Sequence, residues 1–501
     1  MSESKVSGFL SEAVAPALQE NLYAPGLARE FPHALGPMTA INEAHILMLH
    51  ARGIIDAAAA RALARAVIQV ETEGPDSVPL DPAREDTYFN YETRIIAIAG
   101  PDAGGRSHIA RSRNDLKATQ DRLRARTHAI EVMEGSLRLR ATLLDRAAKY
   151  AQVVMPGYTH LQPAQPVTYG WWLLGLAHAF ERDHRRLAEG YARIDVNPLG
   201  TGAIAGTSFP IDREMTARLL GFSTVSGHAQ DAVASRDFLV ELLGSCAMLA
   251  NTWGRMAQDM FVMSSYEFST LRFPDSVAGT SSMMPQKKNL VVLENLKARS
   301  GNVLGAYVAG FVGVKATNFT NVVDGCSAGF RWAWDALVDT VHGLAIAEVV
   351  AGAAEPVEDR MLALARANFS TATDLADGLV REAGLPFREA HHLVGAVVRA
   401  AMAQGLTADR IDTALVSAEA RKMLGHDVTL SAASLARIVD PIAVAEERQG
   451  TGGPSRVDMA GMQVALGAQL AADRTELDGR RGRVAAADAD RRAQFRALAE
   501  S

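Results

Sequence analysis

The sequence predicts a mainly α-helical protein built on long helices, and three observations predict it. Gln230 to Glu267 gives about forty residues of nearly unbroken helical pattern, with Phe238, Leu242, Leu249, Trp253 and Met260 recurring at core spacing. A second long pattern runs from Asp115 to about Ala151. No internal repeat, low-complexity tract or Rossmann-type strand pattern interrupts this picture.

At 501 residues the chain can bury a large core, and length alone suggests about three domains. Hydrophobic residues make up 48% and charged residues 22%, the composition of a soluble globular protein. The net charge of -6, from 51 Lys and Arg against 57 Asp and Glu, gives no electrostatic case for nucleic acid or an anionic membrane surface. No apolar run reaches about 18 residues, so no bilayer span is expected. Met1-Ser2-Glu3-Ser4-Lys5 lacks the start of a secretory leader. Cys246 and Cys326 make neither a disulfide framework nor a zinc site, which fits a cytoplasmic protein.

In chain order, Ile41 to Ile54 reads as one helix, with Gly53 near its end, and Asp56 to Glu71 as a second. Gly74 to Arg84 is a loop by its Pro, Gly and Asp content. Pro101 to Gly105 reads as a plain turn, since no strand precedes it and no Gly-Lys-Ser follows. Ser112, Asn114 and Asp115 are natural N-cap residues for the helix behind them. Met155 to Pro166 is a Pro-rich turn before a helix from about Val167 to Leu187. Asn197 to Gly206 is a Gly-rich crossing, and Asp212 starts the next helix. Leu290 to Gly313, Val338 to Ala354 and Asn368 to Gln404 carry further helical patterns. His391 and His392 lack metal-type partners and read as structural. Residues 441–501 end in a charged, Ala-rich helix, expected at the surface or between subunits.

Two places carry chemistry in their residue types. Ala278-Gly279-Thr280-Ser281-Ser282-Met283-Met284-Pro285-Gln286-Lys287-Lys288-Asn289 has no hydrophobic period and is a loop. Its hydroxyls precede two ammonium groups and an amide, which suits anion capture, although a solvated surface loop has the same composition. Closing such a loop over a carboxylate excludes water and neutralises charge in one movement. Arg113 and Asn114 at a helix N-terminus also suit a carboxylate, because free N–H groups and the positive dipole end point there.

The order of residues adds a resemblance. Ser281-Ser282-Met283-Met284-Pro285-Gln286-Lys287-Lys288-Asn289 resembles the signature loop of the fumarase/aspartase superfamily, in the form of its argininosuccinate lyase branch. Arg111-Ser112-Arg113-Asn114-Asp115 and the stretch from Met155 to Pro166 are similar to two further signatures of that branch, and the likeness runs over roughly residues 38–457. The resemblance implies a three-domain fumarase/aspartase-type fold: an N-terminal helical domain over 1–112, a central helical bundle over 113–365 with the loop at 278–290, a C-terminal helical domain over 366–440 and an extension over 441–501. It implies a homotetramer with a twenty-helix core, active sites drawn from three subunits each, and no metal or organic cofactor. The implied reaction is reversible elimination of an amine or hydroxyl from a succinyl group, releasing fumarate.

Site roles follow from the same resemblance. Arg113, Asn114, Thr159, Ser282, Asn289 and Asn321 would bind the dicarboxylate, Ser281 would be the base, and His160 with Glu294 would belong to the proton network beside Lys287. The chemistry suits these groups. Removing a Cβ proton beside a carboxylate makes a dianionic aci-carboxylate, so fixed donors and cations must meet that charge. A serine is a poor base in water, which makes loop closure part of the reaction.

The chain departs from the branch where the substrate is held. Leu290 and Val291 replace Pro-Asp, and Asn321, Cys326 and Gly329 stand where an ungapped reading puts Tyr, Gln and Lys. Glu85-Asp86-Thr87-Tyr88 replaces Glu-Asp-x-His, and the Ser and Asp that recognise arginine have no counterpart near Leu27 and Met38. Each lost polar contact costs roughly 1–3 kcal/mol. The expectation is therefore a carbon–nitrogen lyase for an N-substituted aspartate whose amine part is not arginine, as ethylenediamine-disuccinate lyase illustrates. A true argininosuccinate lyase is the alternative, and a silent structural protein, like the lens crystallins of this family, is the third.

Overall fold

The computed structural model describes residues 12–501, so Met1–Lys5 and the expectation about a leader lie outside the described residues. Five long helices form the centre: α4 (Arg113–Lys149), α5 (Tyr169–Ile194), α6 (Asp237–Met263), α7 (Val291–Val314) and α8 (Ala333–Ala353). Before them come α1 (Ala24–Ala51), α2 (Ala57–Glu73) and α3 (Thr87–Ala99). After them come α9 (Ala372–Ala383), α10 (Phe387–Ala403) and α11 (Arg456–Glu500). The mainly α class and the long-helix centre are as the sequence predicts.

Bundle contacts run α4 to α5, α5 to α6, α6 to α7, and α8 to both α4 and α7. Apolar residues from all five helices meet there, including the fully buried Trp253, whose Nε1 donates to the Leu296 carbonyl at 3.1 Å. A second cluster joins Phe31, Met38 and Ile46 of α1 to Phe495 of α11, and a third lies within residues 375–439. Local sequence sets the helix starts: Asp56, Asp86 and Thr168 each accept from the backbone N–H three residues on.

Several expectations need correction. Helix α1 starts at Ala24, contains Pro32 and Pro37, and ends at Ala51, so Ile54 lies outside it. Pro32 and Pro37 read as breakers in sequence, yet the burial of Phe31, Ala34, Leu35 and Met38 holds the helix through them. The stretch from Met155 to Pro166 is no simple turn but an antiparallel hairpin of β1 (Val154–Thr159) and β2 (Gln162–Thr168). A two-stranded ribbon tolerates its three prolines because both strands are edges. The pattern from Gln230 to Glu267 is broken: a short helix, Ala229–Ala234, ends before α6. Arg236 sits in the break, fully buried, with Nε donating to Asp121 at 3.0 Å. Pro101–Gly104 is a helical turn, and the pattern from Asn368 to Gln404 divides into α9 and α10 around Gly384.

Residues 323–353 are, by length and composition, long and apolar enough to cross a membrane, contrary to the expectation that no stretch would be. Most of this stretch is α8, whose Leu337, Leu344 and Val350 are buried in the bundle and whose Asp339 pairs with Arg299. Its apolar character is that of a core helix.

Helix α11, expected at the surface or between subunits, is bound along its own chain. Its 45 residues span about 68 Å. Asp473 meets Arg140 at 2.6 Å, Arg474 meets Glu134 at 2.6 Å, and Arg491 meets Glu43 of α1 at 2.7 Å, the last pair almost wholly buried. The helix thus ties the N-terminal cluster to the bundle.

Candidate active site

The start of α4 is built from three acceptors. Ser112 forms a capping box with Asp115: its hydroxyl faces the first helical turn, while Asp115 accepts the Ser112 N–H at 2.9 Å. The second Asp115 oxygen accepts the N–H groups of Gly200 and Gly202 at 2.8 and 3.0 Å. Gly200 and Gly202 have φ of 89° and 60°, which gives their neighbouring loop its close approach to the helix end. Asn114 then reaches the Ala203 carbonyl through Nδ2 at 3.1 Å and accepts from Asn321 Nδ2 at 2.9 Å. Arg113 lies over the Phe89 ring, 4.1 Å from its centroid, and donates to Asp86 at 2.6 Å.

A buried polar cluster sets the approach to this helix. Tyr88 accepts at its hydroxyl from Arg111 Nη2 at 2.8 Å and meets His108 Nδ1 at 2.9 Å. The hydroxyl donates to Glu92 at 3.1 Å, while Arg111 also donates to Asn42 of α1 at 2.9 Å. Burial, then the charges of Arg111 and Arg113, push His108 down to about 4, so its imidazole is neutral at physiological pH.

Thr159 and His160 occupy the tip of the hairpin. Thr159 pairs with Gln162, and the two turn residues His160 and Leu161 have φ of 55° and 56°. Positive φ at both central positions matches the twist of a tight hairpin but costs about 1–3 kcal/mol per non-glycine residue. His160 and Leu161 line a cavity of about 690 Å³ together with Tyr158, Trp171, Trp172, Phe268 and Asp259.

The loop before α7 is closed at its base by a two-way bridge. Gly279 N–H donates to the Asn289 carbonyl at 2.7 Å, and Asn289 N–H to the Gly279 carbonyl at 3.0 Å. Inside the loop the Ser281 hydroxyl oxygen accepts from the Met283 and Met284 N–H groups at 3.4 and 3.0 Å. Asn289 Nδ2 donates to the Thr280 carbonyl at 3.2 Å. Lys288 is anchored on Asp275 at 2.8 Å, whereas the Lys287 ammonium has no partner among the described residues. Ser282 and Lys287 are exposed, and Glu294 is exposed on the first turn of α7.

One chain therefore joins Asn114 with Asn321 and leaves the other elements apart. Among the described residues, no hydrogen bond or ion pair links His160 to Glu294, or the Ser281 loop to the α4 terminus. The sequence did not reveal the Asp86 pairing with Arg113, the Tyr88 cluster or the glycine contacts of Asp115. Ser112 and Asp115 read as cap residues in sequence, but the second Asp115 oxygen serves glycines 85 and 87 positions away, which no local pattern records.

Burial pushes Asp115 up to about 6, against the pull of its N–H donors. A carboxyl raised in the folded state stabilises below its unfolded value and loses that contribution as pH rises through about 6. Asp115→Asn should flatten the pH dependence of unfolding free energy between about pH 4 and 6, a difference of about 3 kcal/mol. Urea titrations across that window check it; parallel slopes for parent and variant would refute it.

Comparison with known proteins gives one consistent result. A family model described as lyase matches residues 40–305, and one described as argininosuccinate lyase C-terminal matches residues 369–440. The chain is 36% identical over 470 residues to argininosuccinate lyase 1 of Shouchella clausii (strain KSM-K16), covering 94% of each. Among solved structures it resembles EDDS lyase in complex with formate, with TM-score 0.86 and 29% identity over 98% of this chain and 97% of that one. A variant of EDDS lyase with bound fumarate, in which an aspartate and a tyrosine are replaced by methionine, matches equally.

Proposed function

The chain belongs to the argininosuccinate lyase branch of the fumarase/aspartase superfamily, and we propose from that premise that it eliminates an amine other than arginine from an N-substituted aspartate, giving fumarate. That it is a carbon–nitrogen lyase follows from the family. The amine is the proposal. The observation that carries it is the segment 321–329: Asn321 is committed to Asn114, Cys326 is buried, and Gly329 offers no side chain. Val291, in the place of the branch's aspartate, packs against Gly279 at the base of the loop, where a Cβ would approach it to 3.0 Å. The EDDS lyase variant that holds fumarate without one aspartate and one tyrosine supports a fumarate site lacking such groups.

In this reading Arg113, Asn114, Thr159, Ser282 and Asn289 hold the carboxylates, with Asn321 fixing Asn114. Ser281 removes the Cβ proton after the loop closes. Its alkoxide is met by the Met283 and Met284 N–H groups already aimed at the oxygen and by the Lys287 charge. His160, supported by Glu294, serves the proton network. These elements meet only if further copies of the chain supply some of them, so the reading includes a homotetramer. The exposed Leu304, Val308, Phe311 and Val312 on α7 support it, since such a row on a bundle helix calls for a covering surface.

The relatives' name favours argininosuccinate as the second reading. Purified protein mixed with argininosuccinate distinguishes them by ultraviolet absorbance of fumarate. The proposal expects release slower than about 1 per minute, far below ordinary turnover. Release at ordinary enzymic rates would make arginine the amine.

A further inference from the structure

We propose that the amine taken by this site carries no carboxylate and has an apolar body, so that alkyl and arylalkyl amines are substrates and amino acids are not. The inference rests on the fumarate-forming reading above and names the class of amine.

The segment between α7 and α8 meets the start of α4 through Asn321, which donates to Asn114 at 2.9 Å, and in the reading above the amine end of the substrate lies against this segment. A carboxylate there would need a cation or N–H donors, because an unpaired charge is costly to desolvate. Position 329 cannot supply one. A Cβ on Gly329 would lie 2.6 Å from the Asp324 carbonyl oxygen and 3.0 Å from Gly313 Cα, so the crossing backbones leave no room for any side chain. The nearest polar atom is a carbonyl oxygen, which repels an anion. Cys326 is 4% exposed, with Sγ directed at the carbonyls of Val233 and Ala234 at 3.8 and 3.9 Å. The cations of the stretch stand at its ends: Lys315 caps α7, and Arg331 lies over the Trp332 ring at 4.6 Å. Asp324 turns its carboxylate onto the Gly325 N–H at 3.0 Å.

What the segment does present is apolar. Phe319 and Val323, two residues to either side of Asn321, are 63% and 71% exposed. Phe319 is fixed by its carbonyl, which accepts from Gln230 Nε2 at 2.7 Å. Large apolar side chains beside a polar anchor, left uncovered by their own chain, form a floor for an apolar body. In the addition direction the amine lone pair forms the C–N bond to one olefinic carbon of fumarate. The π pair passes toward the adjoining carboxylate, the neighbouring carbon gains a proton and the nitrogen loses one. Nothing is oxidised or reduced.

The test offers fumarate to the full-length protein with two matched pairs, phenethylamine against phenylalanine and agmatine against arginine, and follows adducts by mass. Each amine should exceed its amino acid by about tenfold or more in kcat/KM, with phenethylamine ahead of agmatine. Phe319→Ser should narrow the gap between phenethylamine and agmatine. Addition of phenylalanine or arginine as fast as its amine overturns this inference and leaves the lyase reading standing. Addition of none of the four, with fumarate binding demonstrated by calorimetry, overturns this inference, whereas the lyase reading falls only if no amine of a wider panel adds and argininosuccinate releases no fumarate.

Discussion

Ser281→Ala is expected to fold and assemble as the parent does and to lose about a thousandfold or more in kcat. The hydroxyl oxygen is placed by two loop N–H groups, those of Met283 and Met284, and this arrangement explains how a serine can act as a base. Donors aimed at the oxygen stabilise the alkoxide more than the alcohol, and the effect grows when the closed loop excludes water. Alanine leaves those N–H groups facing nothing reactive. The structural cost is small: Ser281 lies on a loop outside the core, and the lost contacts resemble a helix cap, about 1 kcal/mol. Fumarate release from an accepted substrate, with a denaturation curve alongside, checks both halves. Parental activity in the variant would place the base elsewhere.

Arg491→Ala is expected to cost about 3–5 kcal/mol of stability. Arg491 and Glu43 are buried together, and burial already raises the Glu43 carboxyl while Arg491 holds it down. Without the guanidinium, Glu43 must stay charged and unpaired or take a proton. The loss should be greatest near neutral pH and shrink as pH falls, because a protonated Glu43 needs no partner. Denaturant titrations near pH 7 and 5 read this directly. An equal loss at both would mean that packing, not charge, is what Arg491 supplies. The effect should also reach the site, since Glu43 adjoins Asn42, which holds Arg111 in the cluster before α4. Weaker fumarate binding is the expected sign.

The sequence made the bundle legible because its helices are long enough for core spacing to repeat many times. Helices α4, α7 and α8 begin or end within a few residues of the expected points. What it hid depends on partners far along the chain. Arg236 continues a helical pattern in sequence, yet it breaks the helix because Asp121 receives its guanidinium in the core. The prolines of β1 and β2 argue against strands unless one knows that both strands are edges. At the candidate site, loop order put forward Ser281, Lys287 and Asn289 as candidates, but not that Asp115 would pin Gly200 and Gly202, nor that Asp86 would face Arg113. These are long-range hydrogen bonds between common residue types, and their local spacing carries no mark.

The central claim is that this chain makes and breaks a carbon–nitrogen bond to a succinyl group. The measurement that meets it most directly is the ultraviolet absorbance of fumarate on mixing with purified protein and a panel of amines. The account predicts a steady fall in absorbance with at least one amine, absent in Ser281→Ala, and a product whose mass is the sum of amine and fumarate. No fall with any amine, together with no release from argininosuccinate, would contradict it.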